Sequence, residues 1–296
     1  MWARAVLREP SERYHEAQVS RLSNALTSAA LIAAAITVAG LVAEGAARGA
    51  GFSPRQININ RFFAAGTATT WSEPDRELGW VNKAGTSVSV EAGAAEMTFW
   101  PEGRRASRAT EEPAHRQRPV MVVGGSNAQA YGVADAESFV YRLAARFPGV
   151  WFENFGGGGY STVQAAMTAE RALARFYRDA RPDLIVLGFD DSHILRNVAD
   201  QSWIYSISDS EGRYVAPPHY RIVDGAAEFR PFATIGFWPL ERRSAILTIA
   251  HNTWLQSFAY NTARQGPAAT LAALNRLSDV AAGAGARFLV AILEDR

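Results

Sequence analysis

The run Val122-Val123-Gly124-Gly125-Ser126-Asn127-Ala128-Gln129-Ala130-Tyr131-Gly132-Val133 holds the residues best placed to do chemistry. An apolar stretch from Pro119 to Val123 predicts a short buried strand, and it stops at paired glycines followed by a serine. Glycines allow a tight turn at a strand's carboxyl end. In an open α/β sheet that edge is where ligands bind. A serine held there by backbone is a candidate nucleophile for acyl transfer. Two plainer readings compete, a bare strand-to-helix turn and a phosphate-cradling loop. The lysine of a phosphate loop and the Gly-x-Gly-x-x-Gly of a dinucleotide site are both missing.

An acyl-transfer serine needs donors for the developing oxyanion and a base for its proton. Two further loops carry polar residues at strand ends, Asn154 through Tyr160 and Gly188 through Arg196. The glycines of Gly156-Gly157-Gly158-Gly159 leave bare amides that a substrate can approach closely. Asn154 reads more simply as a turn-capping residue than as a chemical group. Asp190 and Asp191 read equally well as a solvated loop. His193 is either a substitute base or a loop histidine facing water.

The elements that must position these loops follow from hydrophobic period. A helix is expected from about Ala136 to Phe147, capped by Asp135. Val150–Asn154 predicts a second strand. Ser161-Thr162-Val163-Gln164 has the form of a capping box. It opens a long helix with apolar stripe Val163, Ala166, Met167, Leu173, Ala174 and Tyr177, interrupted by Glu170, stopping near Arg181-Pro182. Asp183–Gly188 is a near-continuous apolar run, as in a central parallel strand. Asn197 to about Asn261 breaks the rhythm. There Asp224-Gly225 between two short strands signals a hairpin, and the region reads as an insertion partly covering the sheet edge. Pro267–Ala282 predicts a helix and Ala286–Leu293 a last buried strand. This alternation predicts an α/β fold with a doubly wound, flavodoxin-like parallel sheet.

Upstream, Ala25 to Ala43 contains no charged residue, close to the roughly 20 needed to span a bilayer. Arg4, Arg8, Arg13 and Arg21 precede it, which places the amino terminus in the cytoplasm and the rest outside. A cleaved signal peptide and a buried alanine-rich helix are the alternatives. The organisation expected is a cytoplasmic segment over 1–22, a transmembrane helix over 23–45, a connector and small β-rich segment over 46–117, and an α/β domain over 118–296 with its insertion at about 198–261. Within the β-rich segment, Thr86–Val90 and Met97–Trp100 predict strands, and Arg104 to Gln117 an exposed loop.

Composition removes several function classes. With a net charge of +1 and no run of basic residues interleaved with aromatics, nothing suggests a nucleic-acid partner. With no cysteine, disulfides, thiol nucleophiles and thiolate metal sites are ruled out. The five histidines are scattered without a His-x-x-x-His pair, so neither metal nor cofactor is expected.

From about Pro119 to Leu293 the chain resembles the SGNH/GDSL hydrolase family. The likeness rests on Gly124-Gly125-Ser126 with Tyr131-Gly132-Val133 behind it, on Asn154-Phe155-Gly156-Gly157-Gly158-Gly159-Tyr160-Ser161-Thr162, and on Pro182-Asp183-Leu184-Ile185-Val186-Leu187-Gly188. Asp75-Arg76-Glu77-Leu78-Gly79-Trp80 is similar to a segment of membrane-anchored members. The resemblance implies Ser126 as nucleophile, with its own amide and that of Gly159 as oxyanion donors. Asn127, Asn154, Asp190 and His193 are expected around the substrate. The family's oxyanion asparagine falls on Asp190 in one register and on Ser192 in another. Serine can donate to an oxyanion and ionised aspartate cannot, so Ser192 is preferred. The family's Asp-x-x-His base has no counterpart before the chain stops. That suggests a chain cut short or a protein lacking the usual base, and the halt just after a buried strand favours the first. The substrate class implied is an acyl ester, on glycan or lipid at the cell envelope. A non-catalytic module that binds acylated glycan is the alternative.

Overall fold

The computed structural model describes residues 10–56, 71–89, 95–112, 117–207, 213–260 and 262–293. In chain order the elements begin with α1 (Pro10–Gly49), then β1 (Ser72–Asp75), β2 (Gly79–Asn82), β3 (Gly85–Ser89), β4 (Ala95–Trp100) and β5 (Arg104–Arg105). They continue with β6 (Pro119–Gly124), α2 (Ser126–Gln129), α3 (Phe139–Arg146), β7 (Trp151–Asn154), α4 (Thr162–Arg175), β8 (Leu184–Phe189), α5 (Ser192–Arg196) and α6 (Gln201–Ile204). The remainder is β9 (Tyr214–Ala216), β10 (His219–Val223), β11 (Ala226–Arg230), β12 (Ala233–Ile235), α7 (Ala245–Trp254), α8 (Gly266–Ala284) and β13 (Arg287–Ile292).

One compact unit joins the residues up to Gln56 with Trp238–His251. Within α1, Arg21–Gly49 is long and apolar enough to cross a membrane, with mean hydropathy 2.2 and none of its most apolar window buried. Thr27 and Thr37 donate their hydroxyls to carbonyls one turn back, at 2.9 and 2.8 Å, so neither hydroxyl needs water. Beyond the apolar run, Glu44 accepts from the Ser244 hydroxyl and from the Ala245 and Ile246 amides at 2.8, 2.9 and 3.2 Å. Its carboxylate thus satisfies amides that the first turn of α7 leaves open. Glu241 is fully buried and accepts from Arg55 at 2.6 Å, the Trp238 amide at 2.9 Å and His251 Nδ1 at 2.8 Å. Part of the region read as a single insertion therefore belongs with α1.

The second unit holds the remaining residues around a seven-stranded sheet, order β13-β8-β6-β7-β5-β4-β3. Strands β13, β8, β6 and β7 run parallel, while β5, β4 and β3 add on antiparallel. The expected all-parallel sheet is thus mixed, because the β-rich segment extends it through Arg105 paired with Asn154. Taken by order along the chain, the four parallel strands lie second-first-third-fourth, the arrangement of flavodoxin-like sheets, with the switch point between β6 and β8.

Helices cover both faces. On one, Val140, Leu143 and Ala144 of α3 pack on Val120, Val122, Phe152 and Val186. On the other, α4 and α8 pack on Met121, Val123, Ile185 and Leu187. The buried face of α4 is lined by alanines 165, 166, 169 and 172 together with Val163 and Leu173, whereas Ala174 is exposed. Glu170, the interruption in the stripe, meets Arg276 of α8 in a two-pronged ion pair at 2.8 Å.

Tertiary contacts move several expected boundaries. Asp135 does not cap α3, because its carboxylate pairs with buried Arg105 and accepts the Thr98 amide at 3.0 Å. Ser138 is the cap, accepting from the Tyr141 amide at 3.3 Å. Helix α4 ends at Arg175 rather than near Arg181, and Phe176 and Tyr177 then pack against Trp151 at ring separations of 5.6 Å. Arg104 to Ser107 are buried, not an exposed loop. They are drawn in by Glu153, a fully buried carboxylate that takes Arg104 at 3.0 Å, Arg108 at 2.6 Å and the Trp151 indole at 2.7 Å. The hairpin at Asp224-Gly225 forms with both residues at positive φ.

Candidate functional site

Strand β6 ends at Gly124, whose φ of +145° and contact with the Gly188 carbonyl leave no room for a side chain. Gly125 caps the four-residue helix α2, closed by the Gln129 amide on the Gly125 carbonyl at 2.9 Å and the Tyr131 amide on the Ser126 carbonyl at 3.0 Å. Ser126 and Asn127 are half-buried at the start of this turn, while Ala128 and Gln129 point inward. Gln129 fixes the turn from below by donating to Asn82 Oδ1 at 2.7 Å.

The loop after β7 wraps this turn. The Phe155 and Gly157 amides donate to the Val122 and Gly124 carbonyls at 2.8 and 3.0 Å. Asn154 is fully buried; its Nδ2 donates to the Ala128 carbonyl at 2.8 Å and its Oδ1 accepts the Gly156 amide at 2.9 Å. It thus clips the glycine bend to the serine turn and does not face a substrate. Gly159 has φ +75°, and a Cβ there would sit 3.1 Å from the Trp203 ring and 3.3 Å from Trp80. Trp80 also donates its indole to the Gly158 carbonyl at 2.8 Å. The bend is therefore held by tryptophans. It passes close to the serine turn, since a Cβ on Gly125 would lie 3.2 Å from the Tyr160 carbonyl. Ser161 and Gln164 complete the capping box of α4.

The loop after β8 meets the serine turn through Asp190. One of its oxygens accepts the Asn127 side-chain amide at 3.3 Å. The other accepts the Ser192 amide at 3.0 Å and also the Ser192 hydroxyl. That hydroxyl proton is thus spent on Asp190, which corrects the reading of Ser192 as an oxyanion donor. Asp190 is buried rather than solvated, whereas Asp191 is exposed.

His193 is also placed differently from expectation. It is fully buried, not turned to water. Its Nδ1 lies 3.1 Å from the Thr162 hydroxyl, which accepts Asn197 Nδ2 at 3.3 Å. Nε2 has no hydrogen bond and stands 3.8 Å from an Asp190 oxygen. Burial pushes the imidazole down to about 4, with Asp190 opposing and Arg196 adding to the shift. At neutral pH it is uncharged. Among the described residues no histidine reaches the Ser126 hydroxyl with a hydrogen bond.

Ser126 and Asn127 open on a cleft of about 350 Å³ walled by Tyr131, Glu137, Phe139 and Leu293. Tyr131 meets Trp71 with the rings tilted at 55° and 5.6 Å apart, and the Trp71 ring lies against Gly158. Glu137 is an exposed carboxylate on the same wall, and sequence reasoning passed over it. The signal available was its place in the acidic Asp135-Ala136-Glu137 turn just ahead of α3. Among the described residues no group of three or more His, Asp or Glu could hold a metal ion.

No family model matches the chain, and no curated protein matches it. Among solved structures, a member of the lipolytic protein G-D-S-L family from Veillonella parvula DSM 2008 aligns with 57% of this chain and 75% of its own. The identity is 14% and the TM-score 0.26. A superposition that loose transfers no residue's role.

Proposed function

We propose that this protein is a serine-dependent ester hydrolase or O-acyltransferase of the SGNH/GDSL type. The observation that carries this reading is the half-buried Ser126 at the carboxyl end of β6, beside the switch point and open to a cleft. In this reading the Ser126 oxygen attacks an acyl carbonyl. The backbone amides of Ser126 and Gly159 take the oxyanion. The alkoxide of the ester leaves as an alcohol, and water or an acceptor hydroxyl then resolves the acyl-serine. Asn127, steadied by Asp190, orients the acyl group from the cleft side. Helix α1 anchors the chain with the catalytic unit outside the cytoplasm, so the substrates are acylated glycans or lipids of the envelope. The four arginines ahead of the apolar run support that orientation.

A second reading has one observation in its favour: the buried, uncharged His193 is not bonded to Ser126 and is a weak base at about 4. It makes the same cleft a module that holds an acylated glycan without cleaving it. Hydrolysis of short-chain p-nitrophenyl esters by the full chain separates the two. The enzyme reading expects turnover that Ser126→Ala lowers by about 10³-fold or more, the scale of losing a catalytic nucleophile. Binding of acetylated oligosaccharide with no ester cleavage, equal in the wild type and Ser126→Ala, would establish the module instead.

A further inference from the structure

The turn Trp238–Ser244 lies outside the site described above, and its surface is unusual. Glu241 turns inward and is fully buried on Arg55 and His251. Its neighbours Leu240, Arg242 and Arg243 are therefore driven outward, and all three are exposed. Leu240 is 65% exposed and sits at φ +63°, a left-handed backbone that a leucine adopts only under constraint. Among the described residues neither Arg242 nor Arg243 forms an ion pair, and the adjacent acids Glu44 and Glu241 are committed elsewhere.

The level of this turn along α1 is fixed by hydrogen bonds. Glu44, the first charged residue after the apolar run, binds Ser244, Ala245 and Ile246. Arg48, one turn further on, donates to the Arg243 carbonyl at 2.8 Å. Four residues of helix rise about 6 Å, and the polar layer on each side of a bilayer is roughly 5–7 Å deep. The turn thus sits at the depth of the lipid headgroups next to the point where α1 leaves the hydrocarbon. Phe52, 54% exposed just past α1, adds a second apolar group at that end.

We infer that Leu240, Arg242 and Arg243 form a membrane-surface contact whose partner is anionic phospholipid. Leu240 enters the interface between acyl chains and headgroups, and the guanidiniums bind headgroup phosphates. The contact pins the first turn of α7 to the leaflet through which α1 emerges. It rests on the reading of α1 as a spanning helix, and the test separates the two.

The chain has no cysteine, so single cysteines can be labelled with an environment-sensitive fluorophore in the full-length protein. Leu240→Cys and Ile36→Cys would be reconstituted in phosphatidylcholine vesicles, with and without phosphatidylglycerol, carrying nitroxide quenchers at shallow or deep positions. The label at 36 should be quenched by the deep nitroxide. The label at 240 should be quenched by the shallow one, more strongly with phosphatidylglycerol. Arg242→Glu and Arg243→Glu should each lower the ratio of contacting to free label about fivefold, on the scale of one basic residue at an anionic surface. Phe52→Cys is a second probe of the same patch should Leu240→Cys fold poorly. No deep quenching at 36 would remove the spanning helix and the contact with it. Deep quenching at 36 with none at 240 or 52 would overturn the contact alone. Quenching at 240 that ignores lipid charge and both arginines would overturn the anionic partner.

Discussion

The place of Ser126 at the end of β6 was legible because a strand of apolar residues, two glycines and a hydroxyl form a local pattern. The roles of Ser192 and His193 were not, since they depend on Asp190 two residues back and on Thr162 and Asn197 from other elements. The burial of His193 has a consequence for stability. Its imidazole sits near 4 in the folded chain, below the ordinary 6.5, so the unfolded chain takes up its proton first. Its contribution is complete above about pH 6.5 and declines as pH falls towards 4. His219, also lowered to about 4 by burial, acts with the same sign. Urea midpoints should therefore fall between pH 6.5 and 4. The slope is up to about 1.4 kcal/mol per pH unit for each histidine, and His193→Gln should flatten it. Asp75 works at lower pH. Burial would raise it, but Arg171 and the Leu78 and Glu77 amides outweigh that and hold it at about 2. Its contribution is present above about 4 and fades as pH drops towards 2.

At the scale of elements, the parallel strands, the Asp224-Gly225 hairpin and the capping box of α4 were readable from period and turn chemistry, but the last strand, expected to be buried, is an edge strand with Leu289 and Ile292 exposed. What went unread was set by partners distant in sequence. Arg105 takes Asp135 away from α3, Glu153 draws Arg104 and Arg108 into the interior, and the aromatic group around Trp151 ends α4 early. Asn154, in contrast, was read as a capping residue and is found bonded within its own turn and to the serine turn. Asn154→Ala should cost about 2–3 kcal/mol, because it strands a buried carbonyl and a buried amide. Hydrogen exchange at the Ser126 turn should quicken with it. Gly159→Ala should cost about 1–2 kcal/mol from its left-handed backbone alone. With Trp203 already 3.1 Å from where its Cβ would lie, it should also shift the amide proposed to take the oxyanion and, under that proposal, lower kcat more than it raises KM.

For the whole molecule, the α/β order of the parallel strands followed from alternating apolar runs. The antiparallel extension did not, because β5 joins the sheet through a single register pair, Arg105 with Asn154. Nor did any local pattern tie Trp238–His251 to the apolar helix; that link runs through Glu44, about two hundred residues away. Glu44→Ala should leave the fold intact and speed hydrogen exchange of the Ala245 and Ile246 amides. All of these parts matter to function only if Ser126 is a nucleophile. A fluorophosphonate probe with the intact detergent-solubilised chain, followed by peptide mass mapping, tests this most directly. A single adduct on Ser126, absent from Ser126→Ala, is the expected result. A folded chain that leaves Ser126 unmodified, or carries the adduct on another side chain, would contradict the account.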